Sequence, residues 1–233
     1  AAIVGMRPED IRVVQPTIGG AFGSKLDLYP FEPIAVHLAR ATGRPVRILF
    51  SRHEEFLASP TRQPALVHLR SGCDAAGKFT FRDASVLLDN GGHTSWGATI
   101  PFVMMQTVSS LYRVPHVRFR TEVAYTNNPY SGSFRGYGNL QATFAVEQHV
   151  DMLAALAGLD PLQMRLLNTQ ESGEQTAQGL KFVTCGLREC LEKSTASSGW
   201  KQKHQAKKGA GLTRRGVGMA SMLHVGGGAK IYR

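Results

Sequence analysis

Ser131-Gly132-Ser133-Phe134-Arg135-Gly136-Tyr137-Gly138 runs straight into Asn139-Leu140-Gln141-Ala142-Thr143-Phe144, so a glycine-rich turn carrying one arginine opens directly onto a polar helical start. Free N–H groups at a helix N-terminus attract anions, and glycine lets a ligand come close to the backbone. The arginine adds a planar fork suited to an oxyanion. Far upstream, Gly19-Gly20-Ala21-Phe22-Gly23-Ser24-Lys25 forms a second such turn, again with an aromatic residue and a cation. Two turns of this kind in one chain point to a large anionic cofactor held between them.

Working outward, Ile11 to Val14 alternates like a short strand and leads into the upstream turn. Glu32 to Ala41 suits an amphipathic helix closed by Gly43 and Pro45, and Val46 to Phe50 reads as a buried strand. The order strand, glycine turn, helix, strand invites a nucleotide-binding reading, but the spacing is neither G-x-G-x-x-G nor G-x-x-x-x-G-K-[ST], and Lys25 is followed by Leu26 rather than a hydroxyl. Leu66 to Arg70 and Phe79 to Asp89 flank Asp74-Ala75-Ala76-Gly77, a hairpin turn. Val117 to Tyr125 alternates as a further strand. Phe102 to Leu111, Asn139 to Ala157, Asp160-Pro161 through Leu167, and Leu187 to Ser194 read as helices, with Asp160 as N-cap and Pro161 in the first turn. On the long helix, Leu140, Phe144, Val150, Leu153, Ala154 and Ala157 are expected on or near one face. The pattern predicts an α+β fold, a mixed and antiparallel sheet packed with helices, rather than a doubly wound sheet.

The 233 residues allow one large domain or two small ones, and 42% hydrophobic residues suit a globular chain. No apolar run approaches the roughly 20 residues of a membrane span, and no signal-peptide pattern opens the chain, so a soluble, intracellular, cytoplasmic protein is expected. The cysteines, Cys73, Cys185 and Cys190, lack C-x-x-C spacing and read as free or structural thiols. The formal charge of +10 owes much to Lys201, Lys203, Lys207, Lys208, Arg214 and Arg215. With only Trp200 as a stacking residue this run reads as a basic linker rather than a nucleic-acid site, and an acidic partner surface would explain it equally well. Gly216 to His224 looks like a strand entering a new unit. The organisation expected is therefore 1–198 as the main region, 199–215 as linker and 216–233 as the start of a truncated unit in a longer protein.

Three stretches together resemble the molybdenum-binding subunit of the xanthine dehydrogenase and aldehyde oxidase family. They are Gly19 to Lys25 with the following helix and Thr42-Gly43-Arg44-Pro45-Val46; Tyr112-Arg113-Val114-Pro115-His116-Val117; and Ser133 to Gly138 with its helix, then Asp160-Pro161 to Asn168. Asp89-Asn90-Gly91-Gly92 and Tyr125-Thr126-Asn127 look like the branch holding hydroxybenzoyl-CoA reductase and the N-heterocycle hydroxylases. The resemblance implies a molybdopterin cofactor, plain or as its cytosine dinucleotide, with iron–sulfur clusters and FAD on partner domains or subunits. It implies oxidation of an aldehyde, aromatic acyl thioester or N-heterocycle through attack by a molybdenum-bound hydroxyl and hydride transfer to a sulfido ligand. Gly20, Phe22, Gly23, Arg135 and Gly136 would hold the cofactor, with no side-chain ligand to the metal. Read alone, the glycines also suit a tight turn, and Arg135 also suits a carbonyl cap or a carboxylate partner. A scaffold or partner-docking module of the same fold, without chemistry, is the alternative.

Two positions depart from the purine-oxidising members. Where those carry a glutamate after the lysine and an arginine on a later helix, this sequence has Leu26 and Val103, and Tyr137 stands where phenylalanine is usual. Leu26, Val103 and Tyr137 are thus the expected substrate-pocket residues, with Leu26 and Val103 equally readable as core. The family's catalytic glutamate has no counterpart here, so the resemblance implies that these residues alone neither carry molybdenum nor catalyse the reaction.

Overall fold

The hairpin read from Asp74 to Gly77 organises the larger part of the chain. In the computed structural model, which describes residues 1–205 and 212–224, Asp74 caps this turn by accepting from Ala76 N at 3.0 Å and Lys78 N at 2.9 Å. It joins β1 (Ala65–Cys73) to β2 (Phe79–Gly91). The chain then passes through α3 (Ile100–Ser110), numbered after α1 and α2 below, and returns as β3 (His116–Tyr125) on the other side of β2. Asp83 faces Arg118 and Gly91 faces Thr126 with the same offset, so β3 runs parallel to β2 while β1 runs against it. The expected α+β fold with a mixed sheet is what the structure has.

The chain divides into two units, each described in its own right. One comprises residues 65–87, 100–122 and 138 onward, and the other 1–64, 88–99 and 123–137. In the first, α4 (Asn139–Ala157) packs on α3, β1 and α5 (Pro161–Leu167). The core holds Val86, Met104, Val108, Tyr112, Val146, Val150 and Met164. The buried face of α4 is Ala142, Val146, Glu147, Val150, Leu153 and Ala154, at helical spacing. Leu140 and Phe144, expected on that face, lie a step around the helix and are exposed. Asp160 caps α5 by accepting from Leu162 N at 2.8 Å. Beyond it lie α6 (Leu187–Ser198) and α7 (Trp200–Gln205), whose Trp200 is buried although the basic run was read as linker. Lys207 and Lys208 of that run, and Val225 to Arg233, lie outside the described residues.

A buried ion pair ties the C-terminal segment down. Arg165 donates to Glu147 Oε2 from Nε at 3.0 Å and from Nη2 at 2.9 Å, and Tyr112 donates to Glu147 Oε1 at 2.7 Å. Ser221 N donates to the same carboxylate at 2.8 Å, and Arg165 Nη2 reaches Met219 O at 3.4 Å. Residues 216–224 therefore form no strand: side chains, not a neighbouring ladder, take their backbone groups.

In the second unit the elements are α1 (Phe31–Thr42) and α2 (Arg52–Ala58), joined by extended chain. A full capping box starts α2, with Ser51 and Glu54 each satisfying the other's backbone N–H. Neither Ile11–Val14 nor Val46–Phe50 forms a strand, and Val13, Val14 and Leu49 are 87%, 68% and 76% exposed. Alternation suits a strand only where a neighbour accepts its backbone bonds, and none does so among the described residues. The helix α1 buries no residue fully. No helix among the described residues is long and apolar enough to cross a membrane.

Two measurements test this account. Glu147→Ala removes the buried carboxylate of this pair, leaving Arg165 only its half-exposed partner Asp151 at 2.7 Å, and should cost on the order of 3–5 kcal/mol in urea unfolding. His149 on α4 has its pKa lowered by burial and then by the charge of Arg82, itself pushed down to about 10 by burial. A base whose folded pKa is depressed favours the folded state while neutral, so this contribution is complete above about pH 6.5 and declines as pH falls below it. His149→Gln should flatten the stability profile in that window.

Candidate functional site

The two glycine turns lie in the same unit and touch. Arg135 N donates to Phe22 O at 2.8 Å. At Gly23 (φ 102°) a Cβ would stand 2.4 Å from Ser133 O and 2.7 Å from Ser133 C, so only glycine lets the two backbones approach this closely. Phe22 and Tyr137 sit in the left-handed region at φ 53° and 48°, unusual for aromatic residues.

In the first turn the carbonyls of Gly20 to Ser24 are all taken. Lys25 Nζ donates to Gly20 O at 3.1 Å, Ser24 N to Ala21 O at 2.9 Å, Arg135 N to Phe22 O, Leu26 N to Gly23 O at 3.2 Å, and Tyr29 Oη to Ser24 O. Turning these oxygens inward leaves amides facing away, and among the described residues Phe22 N and Gly23 N find no acceptor. A concavity of successive N–H groups is an anion site. Beside it the exposed Arg135 guanidinium lies 5.7 Å from the centre of the Phe22 ring and meets no carboxylate among the described residues. Arg62 holds the same loop from behind: its Nη2 donates to Arg135 O at 2.6 Å and its guanidinium lies 4.8 Å from the Phe134 ring centre.

The structure thus gathers Gly20, Phe22, Gly23, Arg135 and Gly136. Leu26 is 54% exposed at the end of the first turn. The Tyr137 hydroxyl donates to Trp96 O at 2.9 Å and also meets Thr99 Oγ1, so it is anchored. Val103 belongs to the other unit, buried on α3. No group of three or more His, Cys, Asp or Glu side chains among the described residues is placed to hold a metal ion. Sequence reasoning missed Arg62 and Tyr29, whose roles rest on contacts that no local motif announces. The Cys185–Cys190 region lines a separate, mostly apolar groove of about 500 Å³ with Leu187, Leu191, Met222 and Leu223.

Two amides without an acceptor beside an exposed guanidinium are donors of the kind an anionic group uses. Residues 1–169 match the molybdopterin cofactor-binding domain, and the chain belongs to that family. It is 35% identical over 213 residues to the putative xanthine dehydrogenase molybdenum-binding subunit of Escherichia coli (strain K12), matching 90% of this chain and 28% of that protein. It is 34% identical over 200 residues to the nicotinate dehydrogenase large molybdopterin subunit of Eubacterium barkeri, over 83% of this chain and 46% of that one. Aldehyde oxidoreductase from Desulfovibrio gigas superposes with a TM-score of 0.77 at 26% identity, covering 83% of this chain and 21% of the other. The chain therefore spans less than half the length of these relatives.

Replacing Gly23 tests the contact between the turns. Gly43 is also left-handed, at φ 64°, but a Cβ there meets nothing within 4 Å, so Gly43→Ala should cost only the backbone term of about 1–2 kcal/mol. Gly23→Ala must in addition push two backbones apart, and urea unfolding should show the larger loss.

Proposed function

We propose that the paired turns hold the molybdopterin end of the cofactor in a molybdenum hydroxylase. The observation that carries this reading is the set of inward carbonyls at Gly20 to Ser24, which presents the Phe22 and Gly23 amides beside Arg135. The donor set fits an anionic oxo-metal pterin: it offers pre-oriented N–H groups and a guanidinium and no side-chain ligand. When bound, the cofactor supplies a two-electron redox centre for oxidation at an electrophilic carbon. The chain's part is to orient that group through Gly20, Phe22, Gly23, Arg135 and Gly136. The family resemblance adds iron–sulfur and flavin partners that carry the electrons away, and a catalytic glutamate supplied from outside these residues.

Leu26 and Tyr137, which share a unit, are proposed to shape the substrate slot, and Val103 is read as a core residue of the other unit. A purine presents ring nitrogens and oxygens that need polar partners, and Leu26 offers none. An unmet polar group costs on the order of 1–3 kcal/mol, so purine turnover should fall by roughly one to two orders of magnitude. The substrate class is therefore an aldehyde, an aromatic acyl thioester or an N-heterocycle. Relatives of both kinds exist, a putative xanthine dehydrogenase subunit and a nicotinate dehydrogenase subunit, so this assignment rests on Leu26 and not on the kinship.

The test uses the complete protein with its partner subunits. Xanthine, an aromatic aldehyde and quinoline are assayed side by side, and molybdenum is measured in Arg135→Met. An aldehyde or heterocycle should turn over at least about tenfold faster than xanthine. Molybdenum content should fall in the variant. Xanthine winning would remove Leu26 from the slot. Full molybdenum retention in Arg135→Met would remove Arg135 from the cofactor site, and a protein that binds its partners but never molybdenum would be the scaffold instead.

A further inference from the structure

The residue after the substrate-facing Leu26 carries the contact that sets where the first turn sits. Asp27 Oδ2 accepts from Ser95 Oγ at 2.6 Å, the short distance of an O–H bond to a carboxylate. Gly132, one residue before the second turn, packs on this pair. A Cβ there would lie 3.1 Å from Asp27 Oδ2, 3.2 Å from Ser95 Oγ and 2.7 Å from Pro60 Cβ. Three segments thus converge on one hydrogen bond: the exit of the first turn, the entry to the second, and the loop after β2.

The second turn's entry is fixed independently. Ser131 donates to Asn90 O from N and to Asp89 O from Oγ, each at 2.9 Å, and Gly132 N donates to Thr61 O at 3.2 Å. Asp89 in turn accepts from Thr126 Oγ1 at 2.6 Å, Gly91 N at 2.9 Å and Asn128 Nδ2 at 2.5 Å, and these bonds lower its pKa. The first turn is closed by its own bonds from Ser24, Lys25, Leu26 and Tyr29 and meets the second through Arg135 N, but Phe22, Leu26 and Leu28 are all more than half exposed, so no apolar core fixes its place. Its position depends on polar links to that frame, and Asp27–Ser95 is the side-chain link at its exit.

We infer that Asp27 is a positioning residue, which through Ser95 and against Gly132 holds the first turn in register with the second and keeps the Phe22 and Gly23 amides aimed at the ligand. This rests on the proposed role of the turns as the cofactor cradle. Nothing in it requires Asp27 to touch cofactor or substrate.

The test follows hydrogen exchange of the peptides covering 20–26 and 133–137 in the complete protein, together with its pterin and molybdenum content, for Ser95→Ala, Asp27→Leu and Asp27→Asn. Losing a hydrogen bond to a charged group should speed exchange of both peptides roughly tenfold in Ser95→Ala and Asp27→Leu, with β1 and β2 unchanged. Asn keeps an acceptor, so Asp27→Asn should restore most of the protection. Unchanged exchange at both turns, or an equal rise across β1 and β2, would overturn the inference, the latter by showing general loosening. Looser turns with full pterin and molybdenum content would uphold the positioning role and overturn the cradle reading on which its purpose rests.

Discussion

At Gly23 two backbones pass so closely that a single added carbon would overlap the carbonyl of Ser133, standing 2.4 Å from its oxygen. The Phe22 carbonyl is thereby handed to the Arg135 amide, and the other carbonyls of the turn find Lys25, Ser24, Leu26 and Tyr29. Each peptide unit points its N–H opposite to its C=O, so satisfying the oxygens from inside delivers the amides to the outside. The chain acquires a positive surface without relying on a charged side chain, and a guanidinium then reinforces it. Such donors are fixed before a ligand arrives, so little reorganisation is needed when an anion binds.

The two units achieve order by different means. Around α4 a conventional apolar core closes over a buried Glu147–Arg165 pair, with Tyr112 and Ser221 meeting the remaining valences of the carboxylate. Desolvating two charges is expensive, and hydrogen bonds to both ions are what make the pair tolerable. Beyond the core, the pair also ties down the C-terminal segment, taking Ser221 N and Met219 O. The unit with the glycine turns leaves Val13, Val14, Leu49, Phe56 and Leu57 largely exposed and relies on hydrogen bonds among loops. Each such bond is worth about 0.5–1.5 kcal/mol, so several must act together to hold a loop against its own entropy.

Much of the architecture was legible in the residues. The Asp-Ala-Ala-Gly turn, the Asp160-Pro161 start and the long helix from Asn139 to Ala157 each carry their own local signal, and each forms where that signal places it. The Ser51-x-x-Glu54 capping box is equally local and starts α2. Ile11–Val14 and Val46–Phe50 show the limit of such reading. Alternation at the first and an apolar run at the second describe side chains, but a strand exists only when another strand supplies hydrogen bonds.

For the candidate site the division is sharper. By itself the sequence determined that two glycine turns carry an aromatic residue, a lysine and an arginine, and in an order that belongs to the molybdopterin cofactor-binding domain. Glycine's permissive backbone and arginine's fork are properties of single residues, so they survive translation into one dimension. That Phe22 would give its carbonyl to Arg135, and that Asp27 would meet Ser95, was decided only by tertiary structure. Those bonds join residues far apart in the chain, and hydrogen-bond geometry is selected by distance in space, which sequence spacing does not encode.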